Sequence, residues 1–397
     1  MTHERFSRRD VLRTGFAAMA AGLASSWLPH SVLAGQVFPG HREGEETVPF
    51  LDVPPAPKHR LDWGTLDSWI TPEEQIFNVQ HYGIPEVDAQ SFKLEITGLV
   101  GSAKTFTLDE LKALPRRDQL MTLECSGSGV SKNFMNAIYN GKWTGTPLAP
   151  ILRSCGIRPG ALEAVFFGAD RKEETLREGT KRELKVEVPF GRSMSLEDAL
   201  GRNPLLAYEL NGKPIETRNG APLRLIVPGW YGIANVKWLH RIDVRDRRYM
   251  GRYMGRDYVT VRGERHGGEV VFIETSVTRM NLKSIVARVT RGPSQSGQVP
   301  LQAHGAVWSD GTEIQRVEVK VDDGPWQKAE LAAEPRSRYC WIFFSADLGR
   351  LPPGKHVVVS RAIDVNGRVQ PSAEDDEIAL KKTYWEANQQ WPREIEV

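Results

Sequence analysis

A chain of 397 residues is long enough for two or three domains. A formal net charge of +2 leaves no electrostatic footprint for nucleic acid, and no such partner is expected. Hydrophobic residues at 40%, with 25 prolines and 36 glycines, fit a soluble, loop-rich chain and exclude fibrous and low-complexity classes.

Taken from the N-terminus, residues 1–34 stand apart. SRRDVLR (Ser7 to Arg13) carries twin arginines, Arg8 and Arg9; an apolar run spans Gly15 to Leu28, and Val32-Leu33-Ala34 suits signal peptidase. This pattern predicts a twin-arginine export signal and a periplasmic address, since the apolar run is short for a membrane span. That export route carries folded proteins, often with a cofactor inside, so the address favours a cofactor enzyme. Residues 35–70 are rich in Pro, Gly and charge and predict an extended mature N-terminus.

From residue 71 to residue 280 short strands alternate with short helices, without regular βαβ spacing, which predicts an α+β domain. Phe92 to Val100 alternates as a strand. Ser195 to Leu200 opens with a capping-box pattern and predicts a short helix. Ala221 to Gly232 predicts a buried strand ending in a Pro-Gly turn. From residue 281 to residue 397 strand-like runs recur roughly every 8–12 residues between turn residues, the texture of a β-sandwich. Val317 to Trp326 (VEVKVDDGPW) predicts a hairpin through Asp322, Asp323 and Gly324.

The chain has three cysteines, Cys125, Cys155 and Cys340, so at least one is unpaired. None opens a C-x-x-C-H pattern, and no C-x-x-C pair occurs; no haem is expected in this chain, nor a zinc or iron–sulfur site. Cys125 lies in TLECSGSGVSKNF (Thr122 to Phe134), where a strand-like run ends on the thiol and Ser126, Gly127, Ser128 and Gly129 follow with no bulk. A thiol that fills a core does not need such neighbours; a thiolate that meets something large does. On residue types alone a core cysteine stays open as the other reading, and Cys155 and Cys340 read as core.

LECSGSG, LLAYELNGKPI (Leu205 to Ile215), APLRLIVPGWYGIANVKWLHRI (Ala221 to Ile242) and GRDY (Gly255 to Tyr258) together resemble the sulfite oxidase family of molybdenum enzymes. The resemblance covers nearly all of the mature chain, and PGWYGIANVKWL is its most specific part. It implies an α+β sulfite oxidase-type molybdopterin-binding domain, followed by an all-β immunoglobulin-like sandwich that makes a homodimer. It implies a molybdenum–molybdopterin cofactor (Mo-MPT) with Cys125 as the metal ligand, a role a soft thiolate suits. Phe77 and His81, in FNVQH, fall on a cofactor-binding stretch, and Asp170 on an acid that meets the paired N–H donors of the pterin. Arg224 matches an arginine on the terminal phosphate, with Asn235, Val236 and Lys237 completing that end. Asn219 falls where animal members have a histidine. Tyr258 matches the active-site tyrosine, with Tyr249 and Tyr253 as neighbouring alternatives. Residue by residue, other readings stay open: a turn acid at Asp170, an outward strand residue at Arg224, a solvated charge at Lys237.

The implied activity is periplasmic oxidation of sulfite to sulfate. Electrons would pass to an external acceptor, expected to be a c-type cytochrome. The chain departs from the family where sulfite would bind: the family's arginines fall at Val79 and Val130, and a tail motif carrying a third is missing. Lys132, Arg252, Arg256 and His81 are the candidate replacement cations. The departures leave open a molybdopterin oxidoreductase for a larger, less anionic sulfur or nitrogen compound, possibly acting as a reductase, and a non-catalytic exported binding protein.

Overall fold

The computed structural model describes residue 38 and residues 44–66, 68–131, 135–292, 299–333 and 337–397. The export signal and Lys132 lie outside the described residues. No helix among the described residues is long and apolar enough to cross a membrane.

Two five-stranded sheets build the first domain. One runs Arg224–Ile226, Leu205–Leu210, Ile138–Pro147, Arg117–Glu124, all antiparallel, with Lys213–Pro214 paired to the second of these. The other runs Lys104–Thr107, Lys93–Gly98, Leu239–Arg245, Glu163–Leu176, Leu184–Ser195, and only its Lys93–Gly98 and Leu239–Arg245 strands are parallel. Alternation explains the second sheet's packing. Leu94 and Ile96 point into the core and Lys93 and Glu95 out, as period-two strands require. The helices are short because their caps sit close to their ends. Thr107 and Glu110 form a capping box on Leu108–Ala113, and the Ser195 hydroxyl accepts from Asp198 N to start Leu196–Gly201. The sequence expectation of a buried strand from Ala221 is met by only three residues, Arg224–Ile226, although Leu223 and Val227 flanking them are also buried. The chain then turns at Gly229, whose φ is +80° and where a Cβ would lie 2.2 Å from Asp310 O of the second domain.

The second domain is a two-sheet sandwich. One sheet orders Glu46–Val48, Lys283–Arg291, Leu301–Trp308, Ile342–Gly349, Glu330–Leu331; the other orders Gln327–Lys328, Ile314–Val321, Lys355–Asp364, Arg393–Glu396. Val286, Val289, Val317, Val319, Phe344 and Val358 fill the space between them. The expected hairpin is present, with Ile314–Val321 paired to Gln327–Lys328 and Asp322 at φ 49° in the turn. Glu46–Val48, within the predicted extended N-terminus, adds an edge strand to this sandwich. Val259–His266 and Glu269–Ser276 form a two-stranded hairpin between the domains. Trp63 stacks on Trp308 at 6.0 Å, so the join is packed with rings.

Candidate active site

A cleft with about 600 Å³ of empty space, part of it open to solvent, lies where the loops of both first-domain sheets meet. Phe77, His81, Cys125, Asp170, Arg224, Asn235, Val236, Lys237 and Tyr258 all line it. Residues up to 181 positions apart in the chain converge here because strand ends from both sheets, and the FNVQH loop, face one space. Asn219 is not among the lining residues; its backbone carbonyl accepts from Arg224 Nη1.

Cys125 follows the last residue of strand Arg117–Glu124. Its N–H donates to Ala137 O at 2.8 Å, and its carbonyl accepts from Ser128 N at 2.8 Å, which closes a tight turn. Burial pushes the Cys125 thiol above its ordinary pKa, so a thiolate at neutral pH requires a bound cation beside it. Across the cavity Tyr258 Oη lies 3.0 Å from His81 Nε2. His81 stacks on Tyr253 at 4.5 Å, and burial pushes its pKa down to about 4, so the imidazole is neutral at pH 7. The Tyr258 phenol is pushed above its usual range by burial and stays protonated, and its ring stacks on Trp385 at 4.2 Å.

The other end of the cavity is ionic. Asp170 is buried, burial lifts its pKa to about 6, and its Oδ1 has no hydrogen-bond partner among the described residues. An orphaned buried carboxylate oxygen calls for a donor from a ligand. Lys237 Nζ donates to Asn78 Oδ1 and to Val79 O, the latter at 2.8 Å. Burial and the neighbouring Arg224 guanidinium push the Lys237 pKa down to about 6, a shift a bound anion would reverse. Arg224 is buried beside it, with Nε donating to Asn235 O at 3.2 Å, Nη1 to Asn219 O at 3.0 Å, and its plane 5.1 Å over Trp143. Neither cation forms an ion pair among the described residues. Asn235 serves the loop itself: its Oδ1 accepts from Val227 N at 2.8 Å and its Nδ2 donates to Tyr231 O at 3.0 Å.

These residues fit a metal-bearing pterin with a terminal phosphate. Among the described residues no group of three or more His, Cys, Asp or Glu side chains could hold a metal alone. A metal at Cys125 therefore has to arrive with ligands of its own, and a pterin dithiolene brings them. Asp170 offers the unmatched acceptor, and Arg224 together with Lys237, which a bound anion would keep protonated, would face the phosphate.

The small residues after Cys125 have a different neighbour from the one expected. Ser126, Gly127, Ser128 and Gly129 are buried, yet none lines the cavity; they pack beneath the sandwich. Gly129 has φ +96°, and a Cβ there would sit 2.8 Å from Lys283 Nζ. Val79 lines the cavity, whereas Val130 is 45% exposed and outside the lining. Arg252 and Arg256 are taken up by Asp257 and Glu174, at 2.5 and 3.0 Å. Of the tyrosine alternatives, Tyr249 packs edge-on against Phe167 and Tyr253 backs His81. Sequence reasoning missed Tyr139, Phe190 and Trp238 in the wall. Nothing local marks Tyr139 and Phe190, because an aromatic residue in a strand reads as core, whereas Trp238 lies inside the PGWYGIANVKWL run without having been singled out.

The sequence profile of the oxidoreductase molybdopterin binding domain matches residues 81–253, and that of the Mo-co oxidoreductase dimerisation domain matches residues 274–385. Mitochondrial sulfite oxidase of Rattus norvegicus is 29% identical over 329 residues, covering 77% of this chain and 58% of that protein. The chain thus spans little more than half the length of that relative. Nitrate reductase [NADH] 1 of Arabidopsis thaliana is 31% identical over 338 residues, covering 76% of this chain and 36% of that one. The crystal structure of the sulfane dehydrogenase SoxCD from Paracoccus pantotrophus shares the fold at a TM-score of 0.69, with 24% identity over 89% of this chain and 90% of that one. Both domain profiles, these relatives and a cavity that joins a thiol to an unmatched acid and buried cations place the chain in the sulfite oxidase family of molybdopterin-binding oxidoreductases.

Proposed function

We propose that this chain is a periplasmic molybdopterin-dependent oxidoreductase that oxidises a sulfur-centred substrate and passes the electrons to an external one-electron acceptor, a c-type cytochrome. The carrying observation is the convergence of the Cys125 thiol, the unmatched Asp170 carboxylate, Lys237 and Arg224 on one cavity. The bound molybdenum–pterin supplies the two-electron redox chemistry. Cys125 Sγ would ligate the metal, Asp170 would accept from the pterin N–H face, and Lys237 and Arg224 would hold the phosphate. With His81 in its Nε2–H tautomer, that N–H donates to Tyr258 Oη and holds the hydroxyl in place, which would leave the protonated phenol free to donate towards the substrate space.

The substrate end carries the finer argument. Val79 replaces a cation in the wall, Arg252 and Arg256 are already paired, and His81 is neutral. A small dianion would be held less strongly than with an arginine at position 79, although Arg60 acts electrostatically on Cys125 and lies 5.9 Å over the Phe77 ring. This favours a sulfur that reacts without full anionic charge, such as the sulfane named for the structural relative. Sulfite itself is the second reading, favoured by the names of the sequence relatives. Steady-state kinetics with ferricyanide decide: a higher kcat/KM for a persulfide than for sulfite supports the first reading, and the reverse order establishes the second. Val79→Arg, which adds a donor fork at the wall, should lower the sulfite KM, with a smaller change in kcat and an effect that shrinks as salt rises. It should also slow the persulfide by filling its space. An unchanged or higher sulfite KM in a folded, molybdenum-loaded variant would exclude position 79 from the substrate pocket.

The sandwich is proposed as an immunoglobulin-like dimerisation domain, so light scattering at micromolar concentration should give the mass of two chains; a single-chain mass refutes this. Cell fractionation tests the periplasmic address, which a cytoplasmic pool of uncleaved protein would contradict.

A further inference from the structure

The turn that presents Cys125 is fastened from the second domain. Glu386 N donates to Ser126 O at 2.7 Å. Lys283 Nζ donates to Ser128 O at 2.9 Å and to Glu124 Oε1 at 2.8 Å, while Trp308 Nε1 donates to Glu124 Oε2 at 2.8 Å. Lys283 and Trp308 are directly opposed residues on neighbouring strands of the sandwich, so one cross-strand pair delivers both donors. The Lys283 and Glu124 side chains are only 2% and 1% exposed.

A buried ion pair is a weak source of stability, because apolar groups of the same volume do as well. Here the pair sits at one place only: Glu124 immediately precedes Cys125, and Ser128 closes the turn back onto the Cys125 carbonyl. The Ser128 carbonyl accepts the lysine while its own N–H closes that turn, so the lysine fixes both ends of the segment that aims Sγ into the cavity. Groups that orient a metal ligand tune the metal as well.

We infer that Lys283, contributed by the sandwich, is a positioning residue for the metal-ligating thiol of Cys125, so that the second domain completes the cofactor site of the first. The inference rests on the reading of Cys125 as the metal ligand. It does not require Lys283 to touch cofactor or substrate.

Two double variants of the purified holoenzyme isolate the donor from the charge. Glu124→Gln/Lys283→Met and Glu124→Gln/Lys283→Gln both remove the buried ion pair, but only the second keeps an N–H donor at position 283. In the methionine variant we expect a shifted thiolate-to-metal charge-transfer absorption, faster amide exchange over residues 126–129, and turnover lowered by about 10–100-fold. The glutamine variant should stay near the parent in all three. Parent-like absorption, exchange and turnover in the methionine variant would overturn the inference. Should that variant fail to fold, Lys283→Arg, which keeps the charge but displaces the donor, takes its place, and parent-like absorption and exchange there overturn it equally. A parent protein without molybdenum or without such an absorption overturns the reading of Cys125 first, and the inference falls with it; that outcome is distinct from variants that merely match the parent.

Discussion

Cys125→Ser is expected to give a folded protein with little or no turnover. The exchange of one atom leaves the local fold intact, because the turn is held by the backbone bonds from Cys125 N to Ala137 O and from Ser128 N to Cys125 O, neither of which involves sulfur. What changes is the ligand. A hydroxyl is a hard, weakly donating replacement for a soft thiolate, and its far higher pKa makes the ionised form scarce even beside a metal. An unfolding temperature near that of the parent, together with lost turnover at matched molybdenum content, is the expected result. Near-parent turnover would remove Cys125 from the metal.

The second large effect is expected at the ionic end. Arg224→Ala should lower cofactor content more than it lowers turnover per molybdenum, because Arg224 is assigned to the phosphate of the cofactor and not to the substrate. Each charge-assisted bond lost from the phosphate costs roughly 1.5–3 kcal/mol of binding. Arg224 also holds Asn235 O and Asn219 O, so its removal leaves two buried carbonyls unpaired, with about 1–3 kcal/mol lost for each. The cofactor-free protein should therefore be less stable as well. Lys237→Ala should lower cofactor content with a smaller loss of stability, since the Val79 carbonyl it leaves lies beside open space and can turn to water. Thermal unfolding and molybdenum analysis of both variants separate the two effects. Full molybdenum content in both would remove them from the phosphate site.

Much of this site was legible in the sequence because its residues lie in short, distinctive runs. Val236 and Lys237 sit in one loop with Asn235, Arg224 lies eleven positions before Asn235, and both ends of that loop face the cavity. Asn219 meets the site through its backbone carbonyl, which accepts from Arg224. At the next residue, Gly220 (φ +109°), an added Cβ would lie 3.0 Å from Lys237 Cα, so the chain passes close against the Lys237 backbone. The small residues after Cys125 were legible as a demand for close approach, though not as to what approaches. Lys283 is 159 residues from Glu124, and no local pattern relates a lysine at the start of a sandwich strand to a cysteine loop in another domain. The fate of Arg256 was equally hidden, because the acid that takes it up, Glu174, lies 82 residues away and is buried, whereas Arg252 is paired locally with Asp257. Periodicity identified the strands and caps, and the family resemblance identified the cavity. The contacts between the domains emerge only from the three-dimensional arrangement.

The central claim is that Cys125 Sγ binds molybdenum held by a pterin in this cavity. X-ray absorption at the molybdenum edge tests it most directly, on the parent protein and on Cys125→Ser purified from a host that makes the cofactor. The account predicts stoichiometric molybdenum in the parent, with a sulfur shell that contains a single sulfur more than that of the variant. Absence of molybdenum from the parent, or an identical sulfur shell in the two proteins, would contradict it.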